Sequence, residues 1–144
     1  MIKITLFSFQ KHKNLHIEEI EKEYIKRLSP FAQVQCISKK KWSEDKGLPE
    51  NIRKNAYIVG LYVEGRQYSS PVLAKHLEKL MNTGNSNLVF VIGASEGMPR
   101  RVNSQVDEKL SLSKLTFSHQ LLRMFLLEAI YRSFDILHGS RYHK

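Results

Sequence analysis

The chain has 144 residues and 42% apolar content, enough for the core of one domain that needs neither disulfides nor a structural metal. Its single cysteine excludes an internal disulfide, and its Cys and His residues do not have the spacing of metal ligands. No apolar run approaches the roughly 20 residues that span a bilayer. Lysine and arginine number 23 against 14 acidic residues, and this net charge of +9 favours a polyanionic partner without identifying it.

The first third of the chain predicts two strands and a helix. Residues 2–9 start with alternating apolar and polar positions and carry β-branched side chains early, as is typical of a strand. Between residues 17 and 28 apolar side chains recur one helical turn apart, and Pro30 ends the helix that they predict. A second short strand is expected at 34–37. Residues 39–56 have no regular pattern beyond one short helix near their end.

The middle of the chain predicts two strands that are covered on both faces, with a helix between them. Residues 57–63 and 88–92 are continuous apolar runs, as expected for strands of a parallel sheet. Ser69 or Ser70 caps the intervening helix, which has Pro71 in its first turn.

The last part predicts a short polar helix after Pro99, a strand over 110–117 that runs into a turn, and a long helix over 119–137 capped by Ser118. Strands that alternate with helices indicate an α/β fold with a mostly parallel sheet and helices on both faces. We expect one cytoplasmic domain over residues 1–144, with no metal and no membrane partner.

Three loops are expected to meet at one edge of this sheet, because the carboxyl ends of parallel strands lie together and ligands bind outside them. The loops are at 61–65, 93–97 and 112–117. Gly93 and Gly97 can adopt positive φ and allow the backbone to approach a ligand closely. A turn without a ligand explains any single loop equally well, so their convergence is the informative feature.

The helix at 119–137 is apolar around almost its whole circumference, which requires burial on all sides. A chain of this size seldom hides such a helix completely, which favours a second interface in a two-fold homodimer. A central core helix in a monomer is the alternative.

Polar residues on this helix and in the C-terminal tail are candidates for chemistry. Glu128 and Arg132 lie four residues apart and can pair, and His119 and Arg123 share this spacing. The tail supplies cations, an aromatic face for stacking on a base and a group that titrates near neutrality: Arg141, Tyr142, His143 and Lys144. The same residues can be explained without a function: as an ion pair, as a helix cap, or as a chain terminus that has no role.

Most of the chain resembles one known family. LVFVIGASEG (88–97), the stretch at 107–137 and the terminal RYHK are similar to the ribosomal RNA large-subunit methyltransferase H family, of the SPOUT class. YIKRLSP (24–30) and VGLYVEG (59–65) match in the same order. The stretch at 107–137 together with the YHK ending is the most specific part of the resemblance.

The resemblance implies a deep trefoil knot in the C-terminal part and S-adenosylmethionine as methyl donor. The positions that it implies for the donor are Leu61, Gly93, Leu112, Ser113, Lys114, Leu115, Thr116 and Phe117. It also implies a homodimer in which the tail of one subunit completes the active site of the other. The implied substrate is a pseudouridine in helix 69 of 23S ribosomal RNA, methylated at N3.

Methylation at N3 requires loss of the imide proton of the base. On this reading His143 is the first candidate to take that proton, with Glu128 or His119 as alternatives. The expected catalytic residues are His143, Tyr142, Arg132 and Glu128. The expected contacts with RNA are Lys144, Arg141, Arg123 and His119, together with a basic surface at residues 39–41, 100 and 101. Because no RNA-binding module is appended, we expect the enzyme to recognise assembled ribosomes.

Two residues depart from the family pattern. Ala94 stands where a second glycine is usual, and Tyr62 stands where an acidic residue commonly follows the position of Leu61. Both bear on the affinity for the methyl donor. The segment at 39–56 looks shortened and is expected to touch only the outer edge of the fold. A non-catalytic protein that binds RNA or the ribosome, and a small nucleotide-binding α/β enzyme, are the alternative functions.

Overall fold

The computed structural model of the chain describes residues 1–9, 14–139 and 142. Strands and helices alternate along the sequence. The strands are β1 (Ile2–Phe9), β2 (Ala32–Lys39), β3 (Tyr57–Gln67), β4 (Asn87–Ile92) and β5 (Glu108–Ser111). The helices are α1 (Leu15–Leu28), α2 (Glu50–Arg53), α3 (Ser70–Asn82), α4 (Arg100–Asn103) and α5 (His119–Leu137).

The five strands form one sheet in the order β2-β1-β4-β3-β5, and every neighbouring pair is parallel. Successive side chains of a strand point to opposite faces. Leu6 of β1 packs in one core with Leu28 of α1, and the next residue, Phe7, packs in the other core with Ile52 of α2 and Val102 of α4. Helices therefore cover both faces, which confirms the predicted α/β class and parallel sheet.

The helix caps lie close to where the sequence predicts them. The Ser69 hydroxyl accepts the backbone N–H of Val72 at the start of α3, so that Ser69 and not Ser70 is the cap. The Ser118 hydroxyl accepts the backbone N–H of Leu121 at the start of α5. Helix α1 ends at Leu28, two residues before the predicted break at Pro30.

The predicted bounds of three strands are wrong. Strand β2 begins at Ala32 and ends at Lys39, so that it extends beyond the predicted 34–37 at both ends. Strand β5 begins at Glu108 and ends at Ser111, so that most of the strand predicted over 110–117 is a loop. The two polar residues that open β5 lie on an edge strand, where apolar side chains are not required. Strand β3 continues to Gln67 because it bulges out and then pairs again with β5.

Helix α5 lies against α1 and α3. Leu126, Leu127 and Ile130 are at most 1% exposed, whereas Phe125 is 38% exposed. Within one chain the helix is therefore not buried on all sides. No helix of the described ranges is long and apolar enough to cross a membrane, and no three His, Cys, Asp or Glu side chains in those ranges are grouped as a metal site requires.

A buried ion pair fixes α5 to α1 and to the ends of two strands. Arg123 is 5% exposed and Glu21 is 4% exposed. The Nη2 of Arg123 donates to Oε1 of Glu21 at 2.8 Å, and its Nη1 donates to the hydroxyls of Ser8 (3.2 Å) and Ser38 (2.8 Å). Arg123 therefore does not present its guanidinium for contact with RNA, contrary to the expectation from the sequence, because Glu21 and the two serines use it inside the protein.

The variant R123M should lower the free energy of unfolding by about 3–5 kcal/mol, because it leaves the Glu21 carboxylate buried without its partner. Urea unfolding of the purified chain measures this loss. The control R27M breaks a pair between Arg27 and Glu23 whose side chains are 41% and 54% exposed; its expected cost is about 0.3–0.5 kcal/mol. A loss for R123M no larger than that for R27M would contradict the structural role.

Candidate functional site

A cavity of about 390 Å³ lies at the carboxyl ends of β3, β4 and β5. Its size falls within the range of about 300–1,000 Å³ that is usual for small-molecule sites. Its lining comes from β3, from the loop after β4, and from β5 with the loop that leads to α5. The lining residues are Leu61, Tyr62, Val63, Glu64, Gly93, Ala94, Gly97, Met98, Asn103, Leu110, Ser111, Leu112, Ser113, Leu115, Thr116, Phe117, His119 and Leu122.

The three segments predicted to meet at this edge all contribute to the cavity lining, although residues 61–65 lie within β3 and not in a loop after it. Seven positions that the resemblance assigns to the methyl donor are brought together here: Leu61, Gly93, Leu112, Ser113, Leu115, Thr116 and Phe117. Lys114 belongs to the same loop, but it is exposed and does not line the cavity. His119, which the sequence placed among the RNA contacts, lies in the cavity wall.

A bulge in β3 carries side chains to the cavity. Leu110 of β5 pairs with Leu61 and then again with Arg66, so that residues 62–65 leave the sheet between these two points. Gly65 lies against the Leu110 backbone, where a Cβ atom would come within 2.7 Å of the carbonyl carbon. This close approach requires glycine, and Tyr62 and Glu64 of the same bulge line the cavity.

The loop after β4 is a tight turn closed by two backbone hydrogen bonds. The N–H of Ala94 donates to the carbonyl of Gly97 at 3.0 Å, and the N–H of Gly97 donates to the carbonyl of Ala94 at 2.8 Å. Gly97 has a φ of +102°, as expected. Gly93 is required for space instead, since a Cβ there would lie 2.7 Å from the Gly97 oxygen. Ala94 packs in the core that contains Val102, so its methyl group faces apolar side chains.

Trp42 holds this loop from outside. Its indole N–H donates to the carbonyl of Gly97 at 2.9 Å, and that oxygen therefore accepts two hydrogen bonds. The backbone N–H of Leu48 donates to the side chain of Gln105 at 2.9 Å, and the N–H of Arg101 donates to the carbonyl of Glu44 at 3.0 Å. The expectation that residues 39–56 touch only the outer edge of the fold is wrong.

His119 and Tyr62 are the titratable side chains of the cavity wall with shifted pKa values. Burial lowers the pKa of His119, although the charge of Glu96 acts in the opposite direction. Its Nδ1 is buried and has no hydrogen-bond partner among the described residues. Burial and the charge of Glu64 raise the pKa of Tyr62 to about 12, and its hydroxyl donates to the Asn103 side chain. Both side chains are therefore uncharged at neutral pH.

Three of the predicted catalytic and tail residues form a second group, which we call the tail cluster: Glu128, Arg132 and Tyr142. The Tyr142 hydroxyl donates to Oε1 of Glu128 at 3.0 Å, and Nε of Arg132 donates to the same oxygen at 2.9 Å. The Arg132 guanidinium lies 4.8 Å from the centre of the Tyr142 ring. Burial and hydrogen bonds to Tyr24 and Glu128 raise the pKa of Tyr142, which keeps the phenol protonated.

The tail cluster and the cavity are separate within one chain. None of the cluster's three residues lines the cavity, whereas His119 and Leu122 at the start of α5 do. From Leu122 to Glu128 the helix advances by roughly 9 Å at 1.5 Å per residue. Arg141, His143 and Lys144 lie outside the described residues.

The variant W42F should loosen the loop after β4, because phenylalanine keeps an aromatic ring but cannot donate to Gly97. Loss of one hydrogen bond should raise amide exchange in residues 93–99 by about two- to tenfold, while exchange in β1 stays unchanged. Hydrogen-exchange mass spectrometry measures both regions. K41A, which removes an exposed neighbour, serves as control. Unchanged exchange at 93–99 in W42F would show that Trp42 does not hold the loop.

Comparison with known proteins identifies the family of the chain. The model of the family described as "Predicted SPOUT methyltransferase" matches residues 2–143. The ribosomal RNA large subunit methyltransferase H of Shouchella clausii is 38% identical over 159 residues, covering 98% of this chain and 99% of the relative. The ribosomal RNA large subunit methyltransferase H of Halothermothrix orenii is 36% identical over 159 residues, covering 99% of this chain and 100% of the relative. The chain therefore belongs to the SPOUT methyltransferases, and within them to the ribosomal RNA large subunit methyltransferase H family.

Proposed function

We propose that the chain transfers the methyl group of S-adenosylmethionine to N3 of a pseudouridine in helix 69 of 23S ribosomal RNA. It acts on assembled ribosomes, as a homodimer with a C-terminal trefoil knot. The observation that carries the proposal is the cavity, in which seven positions assigned to the donor by the family resemblance lie together at one edge of the sheet.

The cavity fits S-adenosylmethionine in its chemistry. Leu61 and Leu112 offer apolar surface for a purine, Ser113 and Thr116 offer hydroxyls for a ribose, and Glu64 offers a carboxylate for a cationic centre. The Nδ1 of His119, without a partner among the described residues, adds a polar atom in the same wall. When bound, the donor supplies a methyl group on a positively charged sulfur, which is open to attack by a nucleophile held in line.

Exposed apolar side chains beside the cavity support the homodimer. Val63 is 49% exposed and Leu115 is 69% exposed, and both line the cavity. Phe125 is 38% exposed and packs edge-to-face on Phe117 at 5.2 Å. Grouped apolar side chains at the surface are typical of an interface. A two-fold partner that covers them can bring its own tail cluster to this cavity, which joins the two groups that a single chain keeps apart.

The tail cluster then contributes to positioning and proton transfer. Tyr142 stays protonated, so that it can donate a hydrogen bond to the base or stack on it. The Arg132 guanidinium can stabilise the negative charge that develops on the carbonyl oxygens of the base. The carboxylate of Glu128 already accepts from both of these side chains, which leaves His143 as the better candidate to take the proton from N3.

The RNA backbone is bound by exposed cations near the cavity. Residues 39–41 are exposed lysines, and the side chain of Arg100 is 74% exposed beside Glu44, at 3.5 Å. These residues lie close to the loop after β4, since Trp42 joins that loop to the same segment. Contacts of this kind position the protein on phosphate groups, and the target base must be presented outside a helix.

Mass spectrometry of 23S ribosomal RNA tests the proposed function. RNA from cells that lack this protein should lack one methyl group on a pseudouridine of helix 69, and the purified protein with S-adenosylmethionine should restore it on assembled ribosomes. A fully methylated pseudouridine in the deleted strain would contradict the proposed substrate. Binding to ribosomes without methyl transfer would favour a non-catalytic RNA-binding protein.

Removal of residues 142–144 should lower turnover by about 100-fold or more, because it removes the phenol of the tail cluster and His143. Affinity for the donor should stay within about twofold of wild type, since the positions proposed to hold the donor lie in β3 and in the loops after β4 and β5, which remain intact. Single-turnover assays and calorimetry measure the two quantities. Unchanged turnover would exclude the tail from the mechanism.

A further inference from the structure

The cavity carries an unusual charge for so basic a protein. Among the described residues that line it, Glu64 is the one carboxylate, and no lysine or arginine is present. Of the lining residues that the structure describes, His119 is the one that could carry a positive charge, and burial lowers its pKa. The chain as a whole has a net charge of +9. A negative charge therefore stands in the cavity of a positively charged protein.

The backbone that carries Glu64 is held on both sides of a bulge, so that this side chain starts from a defined place beside the cavity. Residues 62–65 bulge between two pairings with Leu110, and Gly65 lies directly against the Leu110 backbone. Both sides of the bulge are thus fixed to β5. After burial, the charge of Glu64 is the second contribution to the raised pKa of Tyr62, which lines the same cavity.

The proposed methyl transfer, on which this inference rests, changes the charge of the methyl donor. The bond between the sulfonium sulfur and the methyl carbon breaks, a bond from N3 to that carbon forms, and the N3 proton leaves to a base. The donor has a positive sulfur, and the product S-adenosylhomocysteine has a neutral thioether. We propose that Glu64 selects the cationic donor over the neutral product, which limits inhibition by the product.

The solvent exposure of Glu64 limits how strongly it can favour the cationic donor. Glu64 is exposed, so that its attraction for a cation is screened by water and by salt. An exposed carboxylate a few ångströms from a positive centre should change relative affinity by about three- to tenfold. It should leave the affinity for a neutral ligand of the same shape unchanged.

Calorimetry on the full chain tests this selection with three ligands. They are S-adenosylmethionine, S-adenosylhomocysteine, and sinefungin, a stable analogue with a positively charged amine in place of the sulfonium methyl. In E64Q the two cationic ligands should bind about three- to tenfold more weakly than to wild type, while S-adenosylhomocysteine binds within about twofold. Raising the salt concentration should reduce the difference in affinity between the cationic ligands and S-adenosylhomocysteine in wild type. It should leave that difference unchanged in E64Q.

The control E78Q removes the same charge from an exposed position on α3 that does not line the cavity. It should leave all three affinities within about twofold of wild type. Equal weakening of all three ligands in E64Q, or no change in any, would overturn the role of Glu64 while the proposed function stands. If wild type bound none of the three ligands, both the role of Glu64 and the proposed function would be overturned.

Discussion

Strand direction is the constraint on which the rest of the structure depends. All five strands are parallel, so that each loop after a strand begins at the same edge of the sheet. The order of the strands places β4 beside β3 and β5 on the other side of β3, which makes neighbours of the bulge in β3, the loop after β4 and the loop after β5. The cavity is the space that these three segments leave between them.

Helix α5 links the cavity to the residues proposed for catalysis. Its first turn contributes His119 to the cavity wall, and its later turns carry Glu128 and Arg132. The buried pair of Arg123 and Glu21 fixes the position of the helix between these two parts. Loss of either partner would leave the other charge buried and unpaired. This pair, together with the buried apolar side chains of α5, therefore sets where both functional groups of the helix lie.

Local sequence patterns predict those features whose causes are local. The apolar runs of β3 and β4, and the caps at Ser69 and Ser118, depend on residues within a few positions of one another. The contact of Trp42 with Gly97 spans 55 residues, and that of Arg123 with Glu21 spans 102, so no periodicity reveals them. For this reason the sequence suggested RNA as the partner of Arg123. It also did not reveal the hydrogen bond from Trp42 to the loop after β4. The bulge after Leu61 depends on register with β5, which a single strand does not encode.

A crystal structure of the chain with S-adenosylhomocysteine measures the central claim most directly, because it locates the ligand without reference to activity. We expect its density in the cavity between Leu61, Gly93 and residues 112–117, with a second copy of the chain covering Phe125. Density for the ligand at any other place on the chain, with this cavity empty, would contradict the assignment of the site.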